Sequence, residues 1–183
     1  MLFSDVVGQE RIKTKLLRSL RKGNVSNTQM FLAPEGAGGL ALALAFAQYM
    51  NCENPGNKDA CGECSACNKI QKLIHPDVHF AFPVVNRKDK KDNISDEFIQ
   101  EWRQAIASNP YINLFDWLQY IKAGNTQGNI AIKECREIIK KLSLKPFEGG
   151  NKIMILWMPE LLGKEGNALL KLLEEPAPNT YFI

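Results

Sequence analysis

Four of the five cysteines lie close together in the sequence, at a spacing at which their thiolates could hold a metal ion. They are Cys52, Cys61, Cys64 and Cys67. Tetrahedral zinc needs four soft ligands that short turns bring together, and Gly62 and the Pro55-Gly56 pair stand where such turns are needed. A closed set of four thiolates leaves no coordination position for water. We therefore predict a structural zinc ion, without a catalytic role, in a small inserted module at residues 52–67.

Two other interpretations of the cysteines stay open, an iron–sulfur cluster and metal-free thiols. No proline follows the last cysteine, which argues against the bacterial iron–sulfur pattern. Disulfides are not expected, because the sequence indicates a cytosolic protein. Asp5 stands where a signal peptide would carry basic residues, and no apolar run approaches the roughly 20 residues of a membrane span. We expect a cytoplasmic location and no membrane partner.

A glycine-rich stretch is the second segment that could do chemistry. Residues 33–40 read Ala-Pro-Glu-Gly-Ala-Gly-Gly-Leu, after the short apolar run 30–32 and before the Ala/Leu-rich run 40–50. This order predicts a strand, a glycine loop and a helix, in which backbone N–H groups at the helix N-terminus could bind phosphate. An ordinary turn that leads into a buried helix is the alternative.

The remaining pattern predicts the elements that must position these two sites. Helical spacing of apolar residues predicts helices at 9–21, 98–106, 114–121, 132–142 and 167–175, and apolar runs predict strands at 78–82, 153–157 and 180–183. Strands that alternate with helices favour an α/β fold with a mostly parallel sheet covered on both faces. Cys135 lies on the apolar face of its helix and is predicted to be a packed thiol. The net charge of +3 is too small to indicate nucleic-acid binding by itself.

These motifs occur in an order that resembles the N-terminal AAA+ domain shared by the gamma/tau and delta-prime subunits of bacterial clamp loaders. The resemblance covers nearly the whole chain, and rests on Val-Gly-Gln-Glu at 7–10, the glycine loop, the cysteine spacing and Asn-Ala-Leu-Leu-Lys-Leu-Leu-Glu-Glu-Pro at 167–176. His75-Pro76-Asp77, and the stretch 132–146 before Glu148-Gly149, look more like delta-prime. The resemblance implies a P-loop NTPase-like (AAA+) fold for residues 1–183.

The sequence departs from that family where ATP would be bound and cleaved. A working P-loop reads Gly-Lys-Ser/Thr where this chain, after Gly36, has Gly38, Gly39 and Leu40, so the phosphate-binding lysine and the magnesium-binding hydroxyl are missing. In that family an Asp-Glu pair should follow the strand that here ends at Ile155-Leu156. This chain has Trp157 and Met158 at those two positions. Losing one preorganised electrostatic group raises a barrier by about 3 kcal/mol. We therefore predict no catalytic residue, no ATP turnover and no productive ATP binding.

The resemblance further implies a non-hydrolysing delta-prime subunit, a scaffold in ATP-driven loading of the sliding clamp onto primed DNA. Its partners would be the gamma/tau and delta subunits. An arginine that acts on a neighbouring subunit's nucleotide, and a collar domain, would lie beyond Ile183. The segment 86–127 is predicted to be a helical and loop insertion. The alternatives are an active gamma/tau-like ATPase, a zinc-dependent DNA-binding module and an inactive AAA+ relative outside replication.

Overall fold

A parallel three-stranded sheet forms the centre of the molecule. The computed structural model describes residues 1–148 and 150–183, so Gly149, part of the delta-prime-like stretch, lies outside the described residues. The strands are β1 (Val78–Ala81), β2 (Lys152–Leu156) and β3 (Thr180–Phe182), in the order β1-β2-β3. Val78 pairs with Ile153, and Lys152 with Thr180. The prediction of a parallel sheet with the run 153–157 as its central strand is confirmed for residues 153–156, and Trp157 follows the strand.

Helices surround this sheet. The α-helices are α1 (Glu10–Arg21), α2 (Gly39–Asn51), α3 (Ser65–Gln71), α4 (Ile99–Ser108), α5 (Leu114–Tyr120), α6 (Ile132–Ser143) and α7 (Leu170–Glu174). Shorter 3₁₀ segments occupy Phe3–Asp5, Ser95–Phe98 and Pro159–Leu169. Each helix in the described residues is too short or too polar to span a lipid bilayer.

Both faces of the sheet are covered, as the apolar strands require. Ile153 and Ile155 pack into a core with α2 and α4, whereas Met154 faces a second core with α6. Cys135 is fully buried in this second core, which confirms the prediction of a packed thiol. A third cluster lies between α2 and the N-terminal segment. Helix α2 is buried on all sides because its alanines let neighbouring elements approach closely.

One sequence prediction about elements was wrong, and another was right only in part. Residues 30–32 are not a strand in the described part of the chain: a bridge joins Thr28 to Phe182, and Met30 and Leu32 are exposed to solvent. The predicted helix 167–175 begins as the end of a 3₁₀ segment and becomes α-helical only at Leu170. Gly163, with φ +55° and ψ −141°, interrupts that segment.

The segment 86–127 packs into the main core through aromatic side chains. Trp102 of α4 and Trp117 of α5 are both fully buried. Trp102 stacks on Phe82 at 4.2 Å between ring centroids and meets Trp117 edge-on at 5.1 Å. The same core contains residues of β1, β2 and α2, so this segment shares the hydrophobic core of the sheet.

Candidate metal centre and glycine loop

The structure brings the four predicted cysteine ligands together. Their sulfur atoms all lie within 4.8 Å of one another, and the sulfurs of Cys61 and Cys67 are 3.9 Å apart. Zinc–thiolate bonds of about 2.3 Å in a tetrahedron place sulfur atoms about 3.8 Å apart. The donor set therefore fits one zinc ion after small inward shifts. Each of these thiols is free, and the 3.9 Å separation is far longer than a disulfide bond of about 2.05 Å.

Short local structures hold these sulfurs in place. Cys52 directly follows α2, and Cys64 is the N-cap of α3 with Cys67 in the first turn. Gly62 adopts φ +78° between the second and third cysteines, a conformation that favours glycine. Backbone N–H groups donate to three sulfurs, from Cys61 to Cys52 at 3.2 Å, and from Cys64 to Cys61 and Cys67 to Cys64 at 3.4 Å. These bonds favour thiolates.

The pKa values of the thiols are also consistent with the binding of a cation. The backbone N–H groups of Glu63 and Cys64 lower the pKa of Cys61 to about 7. Burial raises the pKa of Cys52 and of Cys67, so without a cation these two would stay protonated. A bound zinc ion would supply the positive charge that stabilises all four as thiolates.

Asp59 fastens the cysteine module to the N-terminal segment. Its carboxylate accepts hydrogen bonds from the backbone N–H groups of Phe3 at 2.9 Å and Ser4 at 2.8 Å. On the other side, the hydroxyl of Tyr49 in α2 donates to the carbonyl of Gly56 at 2.9 Å. The module is therefore held by contacts on two sides in addition to its cysteines.

The glycine loop leads directly into α2, as the sequence predicted. Gly36 and Gly38 have φ of +73° and +88°, and the carbonyl of Gly38 accepts the first helical hydrogen bond, from Leu42 at 2.9 Å. Leu40 is only 8% exposed and packs into the main core. The position that would carry a magnesium-binding hydroxyl therefore holds a core side chain.

Tyr111, in the segment 86–127, lies against this loop. A Cβ atom added to Gly38 would stand 2.9 Å from the Tyr111 ring, closer than real contacts allow. The Tyr111 hydroxyl accepts a hydrogen bond from the backbone N–H of Val7 at 2.7 Å, and the Gln9 side chain donates to the carbonyl of Ala37 at 3.2 Å. Three distant segments thus meet at the mouth of the loop. Sequence reasoning missed this contact because no local pattern links them.

Trp157 and Met158 directly follow β2. Trp157 packs against other parts of the core. The Trp157 ring lies 5.2 Å from the ring of Trp102, and its backbone N–H donates to the carbonyl of Ala81 at 2.9 Å. Met158 has φ +59° and precedes the 3₁₀ segment that starts at Pro159. The segment 86–127 therefore contacts both the glycine loop and the residues that follow β2.

The His75-Pro76-Asp77 motif holds the turn before β2. Asp77 is 2% exposed, and its two carboxylate oxygens accept the backbone N–H groups of Phe147 at 2.6 Å and Glu148 at 2.8 Å. His75 lies 3.2 Å from the Glu148 carboxylate. Because burial lowers the pKa of His75, its ordinary form here is neutral. The motif has a structural role.

Fold and sites together define an α/β protein with a glycine loop before a buried helix and an inserted four-cysteine cluster. A family model described as "DNA polymerase III, delta subunit" matches residues 8–183. The chain belongs to this family.

Named relatives agree with that family. The chain is 25% identical over 182 residues to DNA polymerase III subunit tau/gamma of Haemophilus influenzae, covering 99% of this chain and 20% of the relative. It is 29% identical over 182 residues to subunit tau of Bacillus subtilis, covering 99% and 25%. It is 28% identical over 172 residues to subunit delta' of Escherichia coli, covering 92% and 39%. The chain thus spans from a fifth to two-fifths of the length of these curated relatives.

Proposed function

We propose that this chain is the AAA+ part of a delta-prime-type clamp-loader subunit, which supports an ATP-driven complex and does not itself bind or cleave ATP productively. Its place would be beside gamma/tau and delta subunits in the complex that loads the sliding clamp onto primed DNA. The observation that carries the proposal is the glycine loop without Lys or Ser/Thr. The core packing of Leu40 and the Tyr111 contact at Gly38 support it.

Sequence identity does not distinguish a delta-prime-type subunit from a gamma/tau-like ATPase, since tau of Bacillus subtilis and delta' of Escherichia coli are 29% and 28% identical to this chain. The residue types at the glycine loop and after β2 distinguish the two hypotheses. An ATPase needs a cation at the phosphates and carboxylates that hold magnesium, and positions 39, 40, 157 and 158 offer neither.

Nucleotide binding tests the first half of the proposal. Titration of the full chain with a fluorescent ATP analogue and magnesium should give no saturable signal up to about 1 mM, a limit that corresponds to about −4 kcal/mol. Hydrolysis measured in parallel should stay at background. Turnover would establish the ATPase alternative, whereas saturable binding alone would contradict the proposed lack of productive ATP binding.

Two variants distinguish the effect of the absent Lys and Thr side chains on nucleotide binding from the effect of the Tyr111 contact. Gly39→Lys with Leu40→Thr restores the phosphate-binding pair, and a Cβ at Gly39 meets only ordinary contacts, the nearest being Ala33 at 3.5 Å. We expect this chain still to bind nucleotide poorly, and the further change Tyr111→Ala to improve binding. Equal binding by both variants would show that Tyr111 does not close the loop.

We also propose a structural zinc ion at the four cysteines. Sulfur atoms within 4.8 Å of one another suit a single ion better than a multi-iron core. Metal analysis should find one zinc per chain, and Cys67→Ser should lose it together with cooperative unfolding. Cys135→Ser is the matched control, a buried cysteine outside the cluster, and should keep its zinc. A zinc-free, fully folded protein would contradict the proposal.

Reconstitution tests the role in the complex. The full-length protein, mixed with the other loader subunits, should be needed for clamp-dependent ATPase activity, although it has none alone. If the complex loads clamps equally well without it, the replication role is wrong. If it is needed and also hydrolyses ATP itself, only the non-hydrolysing part of the proposal fails.

A further inference from the structure

Helix α1 concentrates the positive charge of the molecule. Six of the thirteen residues at 10–22 are Lys or Arg, against one Glu, which gives this segment a net charge of +5. The rest of the chain has 17 basic and 19 acidic residues, a net charge of −2. The modest total of +3 therefore conceals one strongly basic segment on an otherwise slightly acidic molecule.

Four of these residues form one row, here called the basic stripe. It consists of Arg11, Lys15, Arg18 and Lys22. Their spacing of four, three and four residues keeps them within an arc of about 60° and spreads them over about 16 Å of helix. All four are exposed, and among the described residues none forms an ion pair within 4.0 Å. The opposite face, with Leu16, Leu17 and Leu20, packs against α2 and the N-terminal cluster.

Helix stability does not explain this stripe. Cations near the last turn of a helix interact well with its dipole, which accounts for Arg18 and Arg21. Arg11 lies in the first turn, where the dipole disfavours a positive charge. Four like charges on one arc also repel one another, since pairs three or four residues apart are neighbours. An external anion would remove both costs.

From this arrangement we propose that the basic stripe docks on the phosphate backbone of double-stranded DNA. A duplex presents a regular row of phosphates, one per 3.4 Å along each strand, which suits evenly spaced cations on a straight helix. Helix α1 contains no aromatic residue, so it offers no platform for stacking unpaired bases. Its apolar face is already packed, so insertion into a membrane surface is excluded.

An acidic protein is a poorer match to the same surface. Protein interfaces depend on buried aromatic, methionine or arginine anchors and are depleted in lysine. The stripe has two lysines, and its only apolar neighbour of appreciable exposure on α1 is Ile12, at 42%. Binding should therefore be electrostatic and independent of base sequence. The surface is separate from the cysteine cluster and the glycine loop, and this inference does not depend on the proposed place in a clamp loader.

Salt-dependent binding to duplex DNA tests the proposal. Fluorescence anisotropy of a labelled 20-base-pair duplex with the full chain should show binding at 50 mM salt. Four phosphate contacts predict that the affinity falls about 150-fold between 50 and 200 mM salt, from a slope of about −0.9 per contact. The variant with Arg11, Lys15, Arg18 and Lys22 all changed to Gln should lose this binding and its salt slope. Glutamine is a good helix former, and circular dichroism checks that the variant folds.

A control variant separates the stripe from overall charge. Changing Lys72, Arg136, Lys164 and Lys171 to Gln removes the same charge from exposed positions elsewhere. This control should keep most of the DNA affinity. Equal loss in both variants, or no binding by the wild type at 50 mM salt, would overturn the proposal. Equally tight binding of an oligoglutamate of matched charge would overturn it in favour of an acidic protein partner.

Discussion

Two buried tryptophans provide a direct test of how the segment 86–127 is held. Trp102 and Trp117 are both fully buried, with ring centroids 5.1 Å apart, so they share one environment. They differ in their indole N–H groups. That of Trp117 donates to the carbonyl of Pro83 at 2.7 Å, whereas that of Trp102 has no hydrogen-bond partner among the described residues.

This difference sets the expected cost of replacing each by phenylalanine. Either change leaves a small void that costs about 1–2 kcal/mol. Trp117→Phe also leaves the Pro83 carbonyl without its donor, at a further cost of about 1–3 kcal/mol. Trp102→Phe instead removes a buried donor that has no partner, which raises the free energy of unfolding by a similar amount. We therefore expect Trp117→Phe to be less stable than Trp102→Phe by at least about 2 kcal/mol.

Urea unfolding followed by far-UV circular dichroism measures this difference without relying on tryptophan fluorescence. For a chain of 183 residues, 2 kcal/mol corresponds to about 4–8 °C in midpoint temperature. Equal stability of the two variants, or a less stable Trp102→Phe, would refute the assignment of the hydrogen bonds. Trp102→Ala, in contrast, should cost about 3–5 kcal/mol because it removes the whole stacked ring.

Three further predictions concern single residues. Burial lowers the pKa of His79 to about 4, so the unfolded chain takes up a proton first as the pH falls from about 6.5 to 4. Stability should drop by up to about 3 kcal/mol over that window, and His79→Gln should flatten the curve. Asp77→Asn should cost about 2–3 kcal/mol in urea unfolding, because an amide cannot accept both backbone N–H groups that the carboxylate holds. Gly38→Ala should lower the melting temperature more than Gly36→Ala, since only Gly38 has the Tyr111 ring within 3 Å of a new Cβ, and equal effects would contradict that contact.

Sequence patterns predicted the elements whose signal is local. The apolar run of β2, the alanines of α2 and the spacing of the four cysteines each identify a structure within about fifteen residues, and all three are found as expected. The run 30–32 has the composition of a strand, but among the described residues of this region only Thr28, just before the run, bridges to Phe182 of β3. Strand pairing is a long-range property that composition does not contain.

Contacts between distant segments could not be predicted from the sequence either, because they too are long-range properties. Tyr111 stands in a stretch without glycine-loop signals, and its contact with Gly38 depends on how the whole segment 86–127 folds over the domain. Trp102 and Trp157 were recognisable as apolar but not as partners. Conversely, the residue types at positions 39, 40, 157 and 158, on which the proposal of no ATP turnover rests, can be read directly from the sequence.

The contact between Trp157 and Trp102 also limits how this chain could change. A carboxylate at position 157 would take an aromatic surface away from Trp102 and place a charge near the core that holds the segment 86–127. Introducing an acid at position 157 is thus coupled to looser packing of the segment 86–127. On the proposal that this chain does not cleave ATP, gaining that activity would need several simultaneous substitutions.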